Sequence, residues 1–220
     1  MKKLLLAFIL LHFSGILEAQ KKNESFRLNI RKTTGTIAID GIGDDSAWKD
    51  TDVAKDFFMV LPMDDGPAKE QSEIRMAYDD KNFYLLATFY HSGEAKYTVE
   101  SLRRDFSFGK NDNLLIFLDP FNNQTTGFSF GANAYGAQWD GTMYDGSKID
   151  LNWDSKWVSE SSHDDEKWVF EMAVPFKSVR YEEGVSEWGI NFGRLDLKSS
   201  EKSSWTPVPR QFPTSSMAYN

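Results

Sequence analysis

The chain of 220 residues carries 33 acidic and 25 basic side chains, a formal net charge of −8, and it has no cysteine. Nucleic-acid binders need a basic face, so this charge argues against a nucleic-acid partner. The lack of cysteine excludes disulfides, thiol catalysis and cysteine–zinc sites. Aromatic residues make up 15% of the chain, and because aromatic and β-branched side chains favour half-buried pleated surfaces, the composition indicates an all-β fold.

A secretory signal peptide is predicted for residues 1–19. Lys2 and Lys3 precede an apolar run at residues 4–17, and Ala19 provides a small residue just before the expected cleavage point. This order of features is typical of a secretory signal, and the apolar run is short for a membrane-spanning helix. We therefore expect the mature chain to be exported, to the periplasm, the outer membrane or the extracellular space.

Short strand-like runs separated by turn residues recur along the rest of the chain. After a polar, flexible lead-in at residues 20–34, strands are predicted at residues 36–40, 57–61, 73–78, 83–90, 113–118, 127–133, 138–144, 156–161, 167–174 and 188–195. Helical turns are predicted at Trp48 and at residues 175–180, and a short helix at residues 96–104. About ten short strands without a long amphipathic helix predict a jelly-roll-like antiparallel β-sandwich.

Four segments form an ordered set of motifs. They are Ile39-Asp40-Gly41 with Asp44-Asp45-Ser46-Ala47-Trp48, the hairpin sequence at residues 78–84, the central strand at residues 111–120, and the late strand at residues 168–174 followed by Pro175-Phe176. Together they resemble the domain family related to family 9 carbohydrate-binding modules. The resemblance implies a single non-catalytic β-sandwich domain at residues 35–198 that binds an oligosaccharide or polysaccharide.

A closer resemblance rests on a second set of segments. They are Arg103-Arg104-Asp105, Asp119-Pro120, Thr126-Gly127-Phe128, residues 154–157 and residues 204–210. These resemble the N-terminal part of larger bacterial outer-membrane proteins, in which such a domain precedes a membrane β-barrel. The resemblance implies an outer-membrane barrel domain as a partner, with residues 199–220 as a tail that could begin a truncated barrel region.

Sugar binding needs flat aromatic surface and planar polar side chains. The resemblance implies a tryptophan just before the central strand and a glutamate early within it, where this chain has Phe108-Gly109 and Leu115. The replacement candidates for carbohydrate binding are Arg104, Asp105, Phe106, Phe108, Gln138, Trp139, Asp140 and Trp153. Core packing is the alternative for the two tryptophans, since most tryptophan side chains are buried. Trp157 and Trp168 alternate with polar residues and are predicted to be core.

No cofactor is predicted, with calcium as the alternative. Asp112 and Asp119, which flank the central strand, are the candidate metal ligands, because calcium takes oxygen ligands from carboxylates and carbonyls. Asp is also common in turns for backbone reasons, so solvated turns are the competing interpretation. No His-Glu-x-x-His zinc motif occurs and no carboxylate pair stands out, so enzymatic activity is not predicted.

Three functional interpretations remain. The first is a non-catalytic carbohydrate-binding module that captures glycans at the cell envelope or assists their catabolism. The second is a structural or gating domain of an outer-membrane barrel that binds no sugar. The third is a haem domain, for which only His91 lies at a strand end where it could be an axial ligand.

Overall fold

The computed structural model describes residues 23–92 and 97–220, and in these two stretches it has 13 strands and four short 3₁₀ turns. The strands are β1 (Arg31–Lys32), β2 (Val53–Ala54), β3 (Phe58–Leu61), β4 (Ser72–Tyr78), β5 (Asn82–Tyr90), β6 (Asn113–Asp119), β7 (Gly127–Asn133), β8 (Gln138–Tyr144), β9 (Lys148–Asp150), β10 (Val158–His163), β11 (Lys167–Pro175), β12 (Gly189–Asp196) and β13 (Glu201–Ser204). The predicted signal peptide lies outside the described residues. Across the described part of the chain, no helix has the length and apolar character needed to cross a membrane.

The strands form two sheets. Sheet A has the order β1-β4-β5-β11-β10, with β2 also paired to β4, and sheet B has the order β3-β13-β12-β6-β7-β8-β9. Every pairing of named strands in the described residues is antiparallel except β1 with β4. The antiparallel β-sandwich predicted from the sequence is therefore confirmed.

The main core lies between the inner faces of the two sheets. Side chains on a strand point alternately to opposite faces, so Leu114, Ile116 and Leu118 of β6 enter this core whereas Leu115 and Phe117 lie on the outer face of sheet B. Trp157 and Trp168 are buried in the same core, as the sequence predicted. The alternation in β6 is what gives sheet B a second, outward-facing apolar surface.

The first family motif, Asp40-Gly41 followed by Trp48, is called the Asp-Gly and Trp48 motif. It is held by hydrogen bonds to one buried carboxylate. Glu171 in β11 has no exposed surface, and its carboxylate accepts hydrogen bonds from the Gly41 N–H at 2.9 Å and from Trp48 Nε1 at 3.1 Å. The Trp48 ring is buried in a small cluster with Tyr84 and Val169. The motif thus covers the outer face of sheet A.

Residues 36–40 do not form the predicted first strand. The Ala38 N–H is bonded to the Asp45 carboxylate at 2.8 Å and the Asp40 N–H to Glu171 at 3.2 Å. These side chains take backbone donors that a strand would give to a neighbouring strand. The alternation of Ile37 and Ile39 instead places both beside Trp48.

The short helix predicted at residues 96–104 is also absent from its described part, residues 97–104. The Asn111 side chain accepts the N–H groups of Glu100 at 2.9 Å and Ser101 at 3.3 Å, so these donors are not available to a helix. The two predicted helical turns are confirmed as 3₁₀ turns at Ser46–Trp48 and Phe176–Ser178.

Residues on both sides of the predicted domain pack onto the sandwich. In the described part of the lead-in, β1 pairs with β4, and the Phe26 ring lies 5.8 Å from the Trp205 ring. Beyond residue 198, β13 pairs with β12 and with β3. The buried Met217 then packs against Phe117 on the outer face of sheet B.

Candidate functional site

The predicted sugar-binding residues are divided among several places by the alternation of β8. Trp139 lies on the outer face of sheet B, in a cluster with Phe106 and Phe108. Gln138 and Asp140 point to the opposite face and reach Arg104. Trp153 packs separately against the main core.

Arg104 joins three segments of the chain. Its guanidinium donates to Gln138 Oε1 at 2.6 Å, to the Asp140 carboxylate, to Asp154 Oδ1 at 2.9 Å and to the Ser155 carbonyl at 3.1 Å. Burial raises the pKa of Asp140, while the Ser155 N–H and the Arg104 charge oppose that shift. Because Arg104 bonds to four other residues of the chain, its role is structural: it holds these segments together, and it is called a structural clamp below.

Asp105 stands at a turn next to this clamp. Its backbone has a positive φ of 58°, a conformation that non-glycine residues adopt uncommonly. Its N–H donates to the Gln138 carbonyl at 3.0 Å, and its side chain is exposed. The turn directs the following residues across the outer face of sheet B.

The outer-face aromatic cluster is closed. The Phe108 ring centre lies 4.2 Å from that of Trp139 and 5.7 Å from that of Phe106. Trp139 is only 1% exposed, and its indole N–H has no hydrogen-bond partner among the described residues. The aromatic surface is present, but neighbouring rings cover it.

The C-terminal residues cover the other end of the same face. Met217 packs with Phe117 and Met143, and its N–H donates to the Gly146 carbonyl at 2.8 Å. The glycines of β7 and β12 allow this close cover: a Cβ at Gly127 would lie 2.9 Å from Met217 Cε. The outer face of sheet B is therefore capped at both ends.

Trp153 does not join Trp139. Its ring centre lies 5.1 Å from that of Phe128 and 6.1 Å from that of Phe130, both of which face the main core. The structure thus brings Phe106, Phe108 and Trp139 together, and Arg104, Gln138 and Asp140 together, and leaves Trp153 apart.

The two candidate metal ligands are also separated. Asp112 and Asp119 stand at opposite ends of β6, roughly 23 Å apart at ~3.3 Å per residue. Asp112 accepts the N–H groups of Thr98 at 2.5 Å and Leu197 at 2.6 Å, and Asp119 accepts that of Gln124 at 2.6 Å. Residues 23–92 and 97–220 contain no group of three His, Cys, Asp or Glu side chains arranged to hold a metal ion. Asp112 and Asp119 instead bind loop backbone.

The cavity beside His91 is too small for haem. His91 lines a cavity with Tyr97, Trp168 and Arg194 whose volume is about 20 Å³. That volume holds roughly one water molecule. A porphyrin does not fit between these walls.

A Gly-x-Ser-x-Gly sequence at residues 127–131 lies inside β7 and not at a strand-to-helix turn. Ser129 is fully buried, and its hydroxyl donates to the Ile116 carbonyl at 2.9 Å. A nucleophile elbow exposes its serine at a sharp turn. Ser129 therefore has a structural role in the β6–β7 pair.

A large open cleft lies elsewhere, between the two sheets at the C-terminal end of β6. It measures about 770 Å³, within the size range of small-molecule sites. Its walls come from residues 23–30, from β4 and β5, and from the start of β12, and they include the aromatic side chains of Phe26, Tyr78, Phe83, Phe176 and Trp188. No sequence motif identified this cleft, because its walls come from segments that are far apart in the chain, from residues 23–30 to the start of β12.

The family model "Carbohydrate family 9 binding domain-like" matches residues 39–207. The chain belongs to this family. The match confirms the resemblance to family 9 carbohydrate-binding modules and agrees with the predicted lack of enzymatic activity, because these modules bind without catalysis. No curated protein matches the chain.

Solved structures of similar fold include family 9 modules. A candidate carbohydrate-binding protein from Bacteroides uniformis has a TM-score of 0.64 at 15% identity, over 84% of this chain and 91% of that one. A family 9 module from Caldicellulosiruptor kristjanssonii in complex with cellotriose has a TM-score of 0.56 at 13% identity, over 80% and 83%. A family 9 module from Caldicellulosiruptor kristjanssonii in complex with glucose has a TM-score of 0.56 at 13% identity, over 80% of this chain and 85% of that one. At these identities the likeness shows the fold.

In this family 9 binding domain-like chain, the positions that the resemblance marks for sugar contacts are apolar or lack a side chain. Leu115 lies on the outer face of sheet B and packs against the Phe106 and Trp139 cluster. Gly109 is exposed, and a Cβ added to it would meet nothing within 4 Å. A leucine cannot bond a sugar hydroxyl, so the outer face offers no carboxylate at that point.

Proposed function

We propose that this chain is a non-catalytic carbohydrate-binding domain of an exported bacterial envelope protein. The observation that carries the proposal is the family match, which spans residues 39–207 and so includes nearly all of both sheets. Family 9 modules of similar fold are solved with glucose and cellotriose. A sandwich with a wide aromatic-lined cleft supports the same function.

The charge of the chain favours neutral sugars. The formal net charge is −8, and a polyanionic glycan would be repelled by such a protein at low ionic strength. Neutral oligosaccharides are bound through ring stacking and hydroxyl hydrogen bonds, which do not depend on net charge. The proposed ligand class is therefore neutral oligosaccharides.

The test is calorimetric titration of residues 20–220, the chain without its predicted signal peptide. The titrants are a panel of neutral oligosaccharides of glucose, xylose, mannose and galactose, including cellotriose. We expect saturable binding of at least one member with a dissociation constant below ~1 mM. Sulfated or uronic-acid oligosaccharides of equal length form the control arm and should bind more weakly. Failure of every neutral member to bind at ~10 mM would contradict the proposal.

A second candidate function is a structural or gating role beside an outer-membrane barrel. The capping of the outer face of sheet B by Phe108 and Met217 favours it, because these side chains cover aromatic and apolar surface that a sugar would need to reach. In this case no oligosaccharide binds, and the chain co-purifies with a barrel protein from solubilised outer membranes. Binding to the neutral panel, without such co-purification, would exclude it.

A further inference from the structure

The open cleft has an apolar floor and half-buried aromatic walls. Met76, Phe83 and Leu118 form the floor and belong to the main core. Trp188 packs edge-on against Phe83, with ring centres 6.5 Å apart. The ring centre of Tyr181, a residue that is 46% exposed, lies 5.8 Å from that of Trp188.

The rim of the cleft carries planar polar groups. Arg27 Nη1 and Glu187 Oε1 form an ion pair at 2.9 Å that joins the N-terminal segment to the loop before β12. Both side chains are about two thirds exposed (65% and 66%), so this pair contributes little to stability. Its guanidinium and carboxylate are instead free to exchange partners at the surface.

We propose that the neutral oligosaccharide binds in this cleft, with Trp188 as the stacking surface and the Arg27–Glu187 pair bonding adjacent ring hydroxyls. This inference rests on the proposed function and gives it a location. An aromatic face suits the apolar face of a pyranose, while a guanidinium donates and a carboxylate accepts across two neighbouring hydroxyls. The site lies at the opposite end of β6 from the predicted residues Phe108 and Trp139.

The chemistry of the rim favours a neutral sugar over other ligands. Arg27 is balanced by Glu187 and Glu24 in the lining, so the rim has no excess of positive charge for an anion. An acyl chain would need an apolar mouth, whereas this mouth carries Asn23, Arg27 and Glu187. A ligand with one apolar face and many hydroxyl groups matches both the walls and the rim.

A ligand can reach the aromatic rings of the cleft more easily than those on the outer face of sheet B. Trp139 is 1% exposed beneath Phe108, so a sugar could reach it only after a buried ring was displaced. Trp188 already lines an open volume of about 770 Å³. Binding in the cleft requires no rearrangement of the core.

The experiment uses the tightest-binding oligosaccharide of the neutral panel as its probe, with cellotriose alongside. Calorimetry is performed on wild type, Trp188→Ala, Arg27→Ala and Phe108→Ala. We expect W188A to weaken binding at least about tenfold and R27A about threefold or more, with F108A within about twofold of wild type. Because Arg27 is exposed, R27A keeps the test valid if W188A proves unstable.

Two matched variants serve as controls. Lys148→Ala removes a cation from an equally exposed pair, Lys148–Asp145 at 2.9 Å, and Tyr144→Ala removes a ring that is 43% exposed. Tyr144 lies in β8 and Lys148 in β9, neither residue lines the cleft, and both variants should leave the affinity unchanged. Circular dichroism and thermal unfolding confirm that each variant is folded.

The outcomes distinguish the two levels of the proposal. If wild type binds no panel member, the proposed function is wrong, and the cleft assignment falls with it. If wild type binds but folded W188A and R27A bind equally well, the sugar binds elsewhere and only the cleft assignment is overturned. A loss confined to F108A would place the site on the outer face of sheet B.

Discussion

At the residue scale, Glu171 shows how one carboxylate fixes the Asp-Gly and Trp48 motif. Burial raises its pKa above the ordinary value of 4.5, although the N–H groups of Asp40, Gly41 and Trp48 oppose the shift. Glu171→Gln turns one acceptor into a donor that faces another donor, which should cost about 1–3 kcal/mol of unfolding free energy. Urea unfolding of both proteins measures this loss.

The pH dependence of the Glu171→Gln loss has a definite sign. The folded state holds the Glu171 proton more tightly than the unfolded state, so wild-type stability falls as pH rises from about 4.5 through the folded-state pKa. Glutamine does not titrate. The loss of unfolding free energy in the variant relative to wild type should therefore be largest near pH ~4 and smaller near pH ~7. A loss that grows with pH would contradict the raised pKa of Glu171.

Arg104 provides the second test at this scale. It pairs with Asp140, whose side chain has no exposed surface, and removing one partner of a buried pair leaves an unpaired charge. Because Arg104 is itself 32% exposed, Arg104→Ala should cost about 2–3 kcal/mol, against less than about 1 kcal/mol for Lys148→Ala in an exposed pair. Equal losses in thermal or urea unfolding would show that Arg104 is not a clamp.

None of the residues predicted for sugar binding lines the cleft, and Trp188, Arg27 and Glu187 are not among the predicted residues. Trp139 is a predicted sugar-binding residue, yet its ring is buried beside Phe108, which comes from a different segment. Trp188 stands at the start of a predicted strand, and another wall of the cleft comes from residues 23–30. Contacts between segments so distant in sequence leave no local pattern to detect.

At the element scale, strands were predicted well where apolar alternation coincides with sheet pairing. The predicted segment at residues 138–144 agrees with β8, and that at residues 73–78 agrees with β4 to within one residue. β9 and β13 were missed because their short sequences, Lys-Ile-Asp and Glu-Lys-Ser-Ser, have too few apolar residues to alternate. Pairing with a neighbouring strand forms them.

The close spacing of β6 and β7 gives a prediction for an element. A Cβ at Gly127 would lie 2.0 Å from the Leu118 carbonyl oxygen, so Gly127→Ala must push the two strands apart. We expect a loss above about 2 kcal/mol in urea unfolding. Gly66→Ala is the matched control, since its Cβ would meet nothing within 4 Å, and it should change stability by less than about 0.5 kcal/mol. Equal losses of unfolding free energy in the two variants would contradict the close spacing of β6 and β7.

At the scale of the whole molecule, the proposed envelope location depends on export. Expression of the complete chain in a Gram-negative host should yield a periplasmic or secreted protein that begins at Gln20, because Ala19 supplies the small residue before cleavage. Mass spectrometry of the N-terminal peptide measures this. An uncleaved chain that stays in the cytoplasm would contradict the location while leaving sugar binding by the sandwich untouched.

Binding of a neutral oligosaccharide in the cleft beside Trp188 can be observed directly by NMR. The seven tryptophans give seven indole N–H reporters, which a ¹H–¹⁵N titration with the tightest-binding panel oligosaccharide follows individually, with the Trp188 signal assigned by its loss in W188A. The predicted result is a saturable shift of the Trp188 indole signal, with those of Trp48 and Trp168 unchanged. A titration in which no indole signal moves, or in which Trp139 alone responds, would contradict binding in the cleft.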